Sequence, residues 1–384
     1  MRLAILGAVL LLLGGIALVT GILPPADALA VADRVWPILL FAVAITVVAE
    51  LASEAGVFSA VAERTARAAR GRAWVLWLFV VLIAVVSTAF LSLDTTAVLL
   101  TPVVVLVARE HGLPPLPFAL TTVWLANTAS LVLPVSNLTN LLSLHVLGFT
   151  DPYRFFALLL VPSVIAIVVP CLLLVALFRR DLTARFTPQQ AAPPSDPVLF
   201  WLSAGVLVAL LPLLVTGIPV WIPSSIAAIV LAVAFAVRRR EVVRFSLVPW
   251  QLVVFASGLF LVVETGHSLG MTAVLAQVAG SGTDLLSLLR LSFSGMAGAN
   301  VVNNLPAYLA LEPVTGEPVR VAALLIGVNV GSLITPWASL ATLLWHSRLN
   351  ALGVEIRWSR YILLGLLAAP LTVALATVAL ALAS

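Results

Sequence analysis

The sequence has no lysine, a single cysteine and few charges of either sign. Only 9% of its 384 residues are charged, whereas a soluble domain carries about 25% to cover its surface. Each scarcity excludes something. Cys171, alone in an apolar run, cannot form an intramolecular disulfide or a multi-cysteine metal site. The histidines His111, His145, His267 and His346 are scattered without HxxxH or HxH spacing, so no metal is expected. A Walker-type phosphate loop, a GxSxG elbow and a CxxC pair are all missing. Neither an enzyme nor a bound cofactor is therefore expected. Energy for any uphill process must come from an ion gradient or from a separate ATPase.

What is present is apolar residue, at 62% of the chain. The runs recur from end to end, at about 3–21, 35–52, 73–92, 95–109, 116–144, 155–178, 198–216, 221–237, 247–265, 285–302, 304–312, 320–346 and 361–383. Several reach the ~20 residues that a ~30 Å hydrocarbon core requires. The pattern is that of an all-α polytopic membrane protein, a lipid-bilayer resident of the cell inner membrane. Met1–Thr20 has the charged start and apolar run of a signal peptide. No small-residue cleavage site precedes Pro24–Pro25, so it reads as a retained first helix.

Arginine sets the orientation, because cytoplasmic loops carry the excess of positive charge. A cytoplasmic N-terminus places Arg2, Arg64, Arg67, Arg70, Arg72, Arg109, Arg179, Arg180, Arg185, Arg238, Arg239, Arg240, Arg244, Arg348, Arg357 and Arg360 inside. Only Arg34, Arg154, Arg290 and Arg320 remain outside. The basic stretches thus read as topology determinants and not as a nucleic-acid surface. Glu54–Arg72 is too charged to span and reads as an amphipathic helix on the inner surface. The polar, proline-rich stretch 179–197 reads as a cytoplasmic linker. The expected division is an N-terminal helix 1–28, a first transmembrane repeat 29–178, that linker, a connecting helix pair 198–242, and a second repeat 243–384.

The two halves repeat one another. With Trp36 set over Trp250, Phe41/Phe255, Ala42/Ala256, Val48/Val262, Glu50/Glu264 and Gly56/Gly270 coincide. With Asn127 set over Asn329, Ser130/Ser332, Leu131/Leu333, Pro134/Pro336, Leu138/Leu340, Leu141/Leu343 and Leu142/Leu344 coincide. The Trp36 helix runs inward and the Trp250 helix outward, so the repeats are inverted, as in many secondary transporters. Pro134 and Pro336 each interrupt a spanning run among Asn, Ser and Thr. A mid-membrane proline frees a backbone carbonyl, and such groups persist only where they line a cavity or are buried in protein. Paired interruptions point to a midplane binding site. Ordinary proline kinks with small packing residues are the plainer reading.

A second polar cluster precedes each break. It is Ser92-Leu93-Asp94-Thr95-Thr96 in the first half, and Asn300, Asn303, Asn304 and Pro306 in the second. Each lies between short apolar runs, as at the tip of a re-entrant or broken helical hairpin. An ionised, unpaired carboxylate at that depth costs several kcal/mol. Asp94 is therefore a proton or cation site, or a helix N-cap. Glu50 and Glu264, near the ends of their helices, read as interfacial charges. The substrate-binding candidates are Asn127, Ser130, Ser136, Asn137, Asn303, Asn304, Asn329, Ser332 and Thr335, with Asp94 coupling protons. This inventory of neutral donors and acceptors with one acid suits a neutral or cationic cargo better than a dicarboxylate.

EAGVFSAVAE, LDTTAVLLTP, ANTASLVLPVSNLTNLL, PWQLVVFASGLFLVV, NNLPAYLAL and GSLITPWASLATLLW resemble the arsenical pump membrane protein (ArsB-type) permeases of the ion-transporter superfamily. The similarity runs in order along nearly the whole chain. It implies two inverted repeats with broken helices. It also implies export of arsenite or antimonite, a small inorganic solute, in exchange for protons, alone or with an ATPase subunit. The superfamily further implies a homodimer. The family's Asn-Asp-Gly is here Leu93-Asp94-Thr95, its second-break Asp is Asn329, and its Lys before Ile-Thr-Pro is Leu333. Other members of the superfamily are sodium/proton antiporters and organic-anion carriers, which are the alternative reading. A membrane scaffold without transport would have no need of paired helix breaks.

Overall fold

The structure is a computed structural model that describes residues 2–148, 151–187 and 195–384. Residues 188–194 of the expected linker lie outside it. The elements in order are α1 (Arg2–Val19), α2 (Pro25–Glu54), α3 (Val57–Ala68), α4 (Ala73–Leu91), α5 (Leu93–Thr95), α6 (Thr101–Glu110), α7 (Pro115–Thr128), α8 (Leu138–Leu147), α9 (Pro152–Leu182), α10 (Pro197–Leu213), α11 (Trp221–Arg238), α12 (Trp250–Ser268), α13 (Met271–Ala279), α14 (Leu285–Val302), α15 (Asn304–Leu311), α16 (Pro318–Leu325), α17 (Leu340–Ala351) and α18 (Trp358–Ala383). Two wider π-turns continue α5 into α6 (Thr96–Leu100) and extend α16 (Ile326–Val330). Among the described residues, seven helices are long and apolar enough to cross a membrane.

Local sequence explains most boundaries. Proline opens α2, α7, α9, α10 and α16, where its missing N–H costs nothing. Asp196 and Asp284 cap α10 and α14 by accepting two backbone N–H bonds each. One boundary departs clearly from expectation. α2 begins at Pro25 and not near Val35, so its first turns carry Asp27, Asp33 and Arg34. Arg34 is tolerated there because its guanidinium pairs with Glu312 from the other end of the chain. The runs 116–144 and 320–346 each divide into two helices, as a broken segment should.

Long-range bonds sort the loops onto two faces. On one, Arg109 donates to the carbonyls of Leu352 and Gly353, Phe186 N–H to Gly71, Ala73 N–H to Ala184, and Arg239 to Glu54. Arg238 pairs with Asp196 on the same face. On the other, Arg34 meets Glu312, and Arg320 donates to the carbonyls of Thr315 and Gly282. The first is called here the arginine-rich face. α2 ends on it and α12 starts from it, so the two halves have inverted topology. α1 lies parallel to α12 in close contact: a Cβ on Gly7 would stand 2.7 Å from Phe255 Cα, and one on Gly14 2.5 Å from Leu261 Cβ. α1 therefore also starts on the arginine-rich face.

Each repeat is a scaffold helix, a short surface helix, a hairpin, a broken helix and a closing helix. In the first these are α2, α3, α4–α6, α7–α8 and α9. In the second they are α12, α13, α14–α15, α16–α17 and α18. The first hairpin packs with α7 and α18, the second with α16, and α10–α11 cover α2.

Candidate functional site

Both helix breaks fall at the paired prolines. After α7 the chain takes short 3₁₀ turns at Ala129–Leu131 and Pro134–Ser136, and Asn137 is extended (φ −152°, ψ 146°) before α8. After the π-turn ending at Val330, the second break runs to an extended Ser339 (φ −139°, ψ 136°) before α17. Asn137 caps α8 by accepting from Thr139 N–H, which is why that short helix can restart in the core.

The breaks meet at the centre of the molecule and satisfy one another. Asn329 Nδ2 donates to Asn140 Oδ1 at 2.9 Å, while Asn329 Oδ1 accepts from Asn137 Nδ2 at 3.1 Å and Thr139 Oγ1 at 2.8 Å. Ser332 Oγ donates to Asn127 Oδ1 at 3.1 Å. Asn140 Nδ2 reaches the Ser130 carbonyl and Ser136 Oγ. Asn127, Ser130, Ser136, Asn137, Asn329 and Ser332 are all buried. The structure thus brings six of the expected binding residues together, but as a closed network joining the repeats. A solute can touch them only by opening it. Among the described residues, two buried hydroxyls, Thr128 Oγ1 and Ser339 Oγ, find no hydrogen-bond partner, one beside each break.

The remaining candidates lie at the hairpin tips. Asn303 Nδ2 donates to the Trp337 carbonyl at 2.8 Å, and Asn304 N–H to that of Ala338. Asn300 Oδ1 accepts the N–H groups of Ile334 and Thr335, and its backbone carbonyl accepts Thr335 Oγ1 and Trp337 Nε1. Asn303, Asn304 and Thr335 therefore tie the second tip to the second break.

Asp94 stands apart. The N-cap at the first tip is Ser92, whose Oγ accepts from Thr95 N–H at 3.5 Å, so the cap reading of Asp94 falls away. Asp94 sits in the first turn after the tip, where helix amides favour negative charge. Among the described residues its carboxylate has no hydrogen-bond or ion-pair partner. It faces a cavity of about 330 Å³ that also takes Thr46, Glu50, Thr95, Gln251 and Arg348 into its wall. Arg348 and the loop before α12 place its mouth on the arginine-rich face. At ~30 Å³ per water, such a space holds on the order of ten waters.

Sequence reasoning missed part of this wall. Glu50 read as an interfacial charge and Arg348 as a topology determinant, yet both line the cavity with Asp94, and Arg348 interacts electrostatically with Glu50. The available signal was the Trp36/Trp250 match. It brings Gln251 to the start of the helix that mirrors α2, facing the turn that holds Glu50.

Comparison with known proteins agrees with this architecture. The citrate transporter (CitMHS) family profile matches residues 3–324. The arsenical pump membrane protein of Escherichia coli strain K12 is 32% identical over 391 residues, covering 95% of this chain and 89% of its own. Its namesake in Yersinia enterocolitica is 32% identical over 381 residues, covering 92% and 87%. The crystal structure of the Alcanivorax borkumensis YdaH transporter, described as unusual in topology, matches with a TM-score of 0.61 at 17% identity, over 90% of this chain and 84% of that one. At that identity the likeness is one of fold. The profile match and the end-to-end identity have one conclusion: this multi-pass membrane transporter belongs to the citrate transporter family and to the arsenical pump membrane proteins.

Proposed function

We propose that the protein exports arsenite- or antimonite-like metalloid oxyacids in exchange for protons, with its arginine-rich face and N-terminus in the cytoplasm. The observation that carries this reading is the unpartnered Asp94 carboxylate on the wall of a small, largely apolar cavity open to that face. Arsenous acid is a neutral trihydroxyl solute near neutral pH. It needs hydrogen-bond donors and acceptors without a strong local field; the Gln251 amide supplies both, and the Thr46 and Thr95 hydroxyls, which donate to the Ala42 and Leu91 carbonyls, supply acceptors. Glu50 shares the wall with Arg348, whereas Asp94 has no ion-pair or hydrogen-bond partner among the described residues, and it is the group assigned the change of charge.

The exchange follows from donor and acceptor counts. Ionised, Asp94 accepts hydrogen bonds from solute hydroxyls. Protonated, it loses an acceptor and gains a donor. Solute and proton therefore compete for one carboxylate. A carrier that faces each side in turn releases solute as it takes a proton outside, and releases that proton inside as the next solute binds. The positive-inside rule supports the orientation.

The second reading is an organic-anion carrier, favoured by the description of the matching family and by Arg348 on the cavity wall. Two carboxylates against one guanidinium make the cavity a poor host for a multiply charged anion, so the metalloid reading is preferred. The test is uptake by everted membrane vesicles under an imposed proton gradient. Arsenite, antimonite, sodium and citrate are offered in turn, alongside growth of a sensitive strain. Gradient-driven uptake of arsenite or antimonite is expected. Uptake of citrate alone, or sodium tolerance without metalloid tolerance, would replace the proposal.

A further inference from the structure

The face opposite the cavity carries a charged group that the binding reading does not use. Glu312 lies at the end of the second hairpin and is 6% exposed. Its Oε1 accepts from Arg34 Nη2 of α2 and from Tyr308 Oη at 2.7 Å. The same Arg34 nitrogen donates to the Leu142 carbonyl of α8 at 3.1 Å. One buried carboxylate thus joins the scaffold helix and broken helix of the first repeat to the hairpin of the second.

Its position matters as much as its bonds. Outside it lies a vestibule of about 490 Å³ lined by Asp27, Asp33, Arg34, His145 and Glu264. Inside it, Leu39, Leu142, Phe260, Leu305 and Leu309 belong to one packed apolar cluster. Repeat equivalence explains that cluster. Setting tip Ser92 over tip Asn303 also sets Pro102 over Pro313, and brings Asp94 over Leu305. The position mirroring Asp94 is therefore filled and apolar, while Glu264, the counterpart of Glu50, lines the vestibule outside it. One face is open and the other is closed.

We propose that the Arg34–Glu312–Tyr308 cluster is the gate of the opposite face, closed while the Asp94 cavity is open and broken when the carrier turns. An inverted repeat reaches its other conformation by exchanging the arrangements of its halves. That exchange draws the second hairpin away from α2 and α8, and it cannot do so without separating Glu312 from Arg34. The positions equivalent to Arg34 and Glu312 are Val248 and Thr101, neither of them charged. The open face therefore lacks a matching lock, and the resting equilibrium is biased toward the conformation seen here. This inference rests on alternating access and not on the identity of the cargo.

The test reads both faces and needs no substrate. In a Cys171→Ser background, Leu305→Cys reports the closed side and Val98→Cys the cavity wall. A membrane-impermeant maleimide is added to each face of oriented vesicles. Glu312→Gln should raise Leu305→Cys labelling from the opposite face by about tenfold, the population change that ~1.4 kcal/mol produces. It should lower Val98→Cys labelling from the arginine-rich face. Tyr308→Phe, which removes a single donor, should shift both rates in the same reciprocal sense by less. Unchanged Leu305→Cys labelling in both variants, or a rise at both reporters together, overturns the gate, since a mere staple would loosen the two faces alike. Failure of metalloid transport would leave these rates unaffected and so remains a separate result.

Discussion

The two hairpins share a plan and finish differently. Each turns on a non-glycine residue at positive φ, Ser92 at 90° and Asn303 at 125°. The second tip is bonded to its own helix break through Asn300, Asn303 and Asn304. Among the described residues, the first tip makes no such bond to the first break. In place of an amide anchor it carries Asp94 on the wall of a cavity of about 330 Å³. The inverted repeat supplies two equivalent frames, and divergence at the tips makes one a clamp and the other a titratable wall.

The largest expected effect comes from removing the difference in charge. Asp94→Asn keeps the size of the side chain and leaves the Ser92 cap untouched, so insertion and melting in detergent should match wild type. Gradient-driven metalloid uptake by everted vesicles should fall to background. Undiminished, still gradient-dependent uptake would move the coupling group to Glu50 and erase the functional contrast between the tips.

Next comes the anchor. Asn300→Ala strips the acceptor from the Ile334 and Thr335 amides. Two orphaned, partly buried groups at ~1–3 kcal/mol each set an upper range of roughly 2–6 kcal/mol, read as a lowered melting temperature. Ser92→Ala removes a long cap bond and should cost less than ~1 kcal/mol. Equal losses at the two tips would show that the first is anchored as firmly as the second.

A third change presses on the anchored break from behind. A methyl at Gly365 of α18 would fall on the Leu333 carbonyl. Gly365→Ala should cost about 1–3 kcal/mol through forced backbone shifts, with uptake and melting impaired together. Loss of uptake alone would mean that the second break moves during transport.

The smallest effect is expected away from both tips. The hydrogen bond from Arg238 holds the Asp196 carboxyl below the usual carboxylate range, with help from the Leu199 and Val198 amides. A depressed value stabilises the fold above the unfolded-state pKa, and that contribution is lost as the pH falls through the folded one. Asp196→Asn should melt slightly below wild type at neutral pH, and the two curves should converge in acid. Exposed pairs contribute little, so a large drop would expose a weakness in the α10–α11 connection and not in the repeats.

Legibility in the sequence followed how local each cause is. Pro134 and Pro336 announce their breaks because proline acts on its own helix, and the repeat was readable from matched side chains alone. The start of α2 was not, because Asp27, Asp33 and Arg34 look like a loop until Glu312 is brought beside them. The site was half legible for a related reason. Asn127, Asn137 and Asn329 announce buried polar chemistry, but sequence cannot say whether an amide answers a ligand or another amide. Here the breaks answer each other. Arg348 shows the converse, since a charge that marks topology can also face a cavity.

The glycine seam between α1 and α12 bears on how the protein is made. Gly7 lies against Phe255 and Gly14 against Leu261, with Gly258 closing the contact from the other side. At ~5–20 residues per second, α12 leaves the ribosome on the order of ten to fifty seconds after α1. Throughout that wait α1 must sit in lipid with its glycine stripe uncovered, as its unbroken apolar sequence allows. α1 thus waits for its partner until α12 has been made, and this seam closes only after the whole first repeat has been translated.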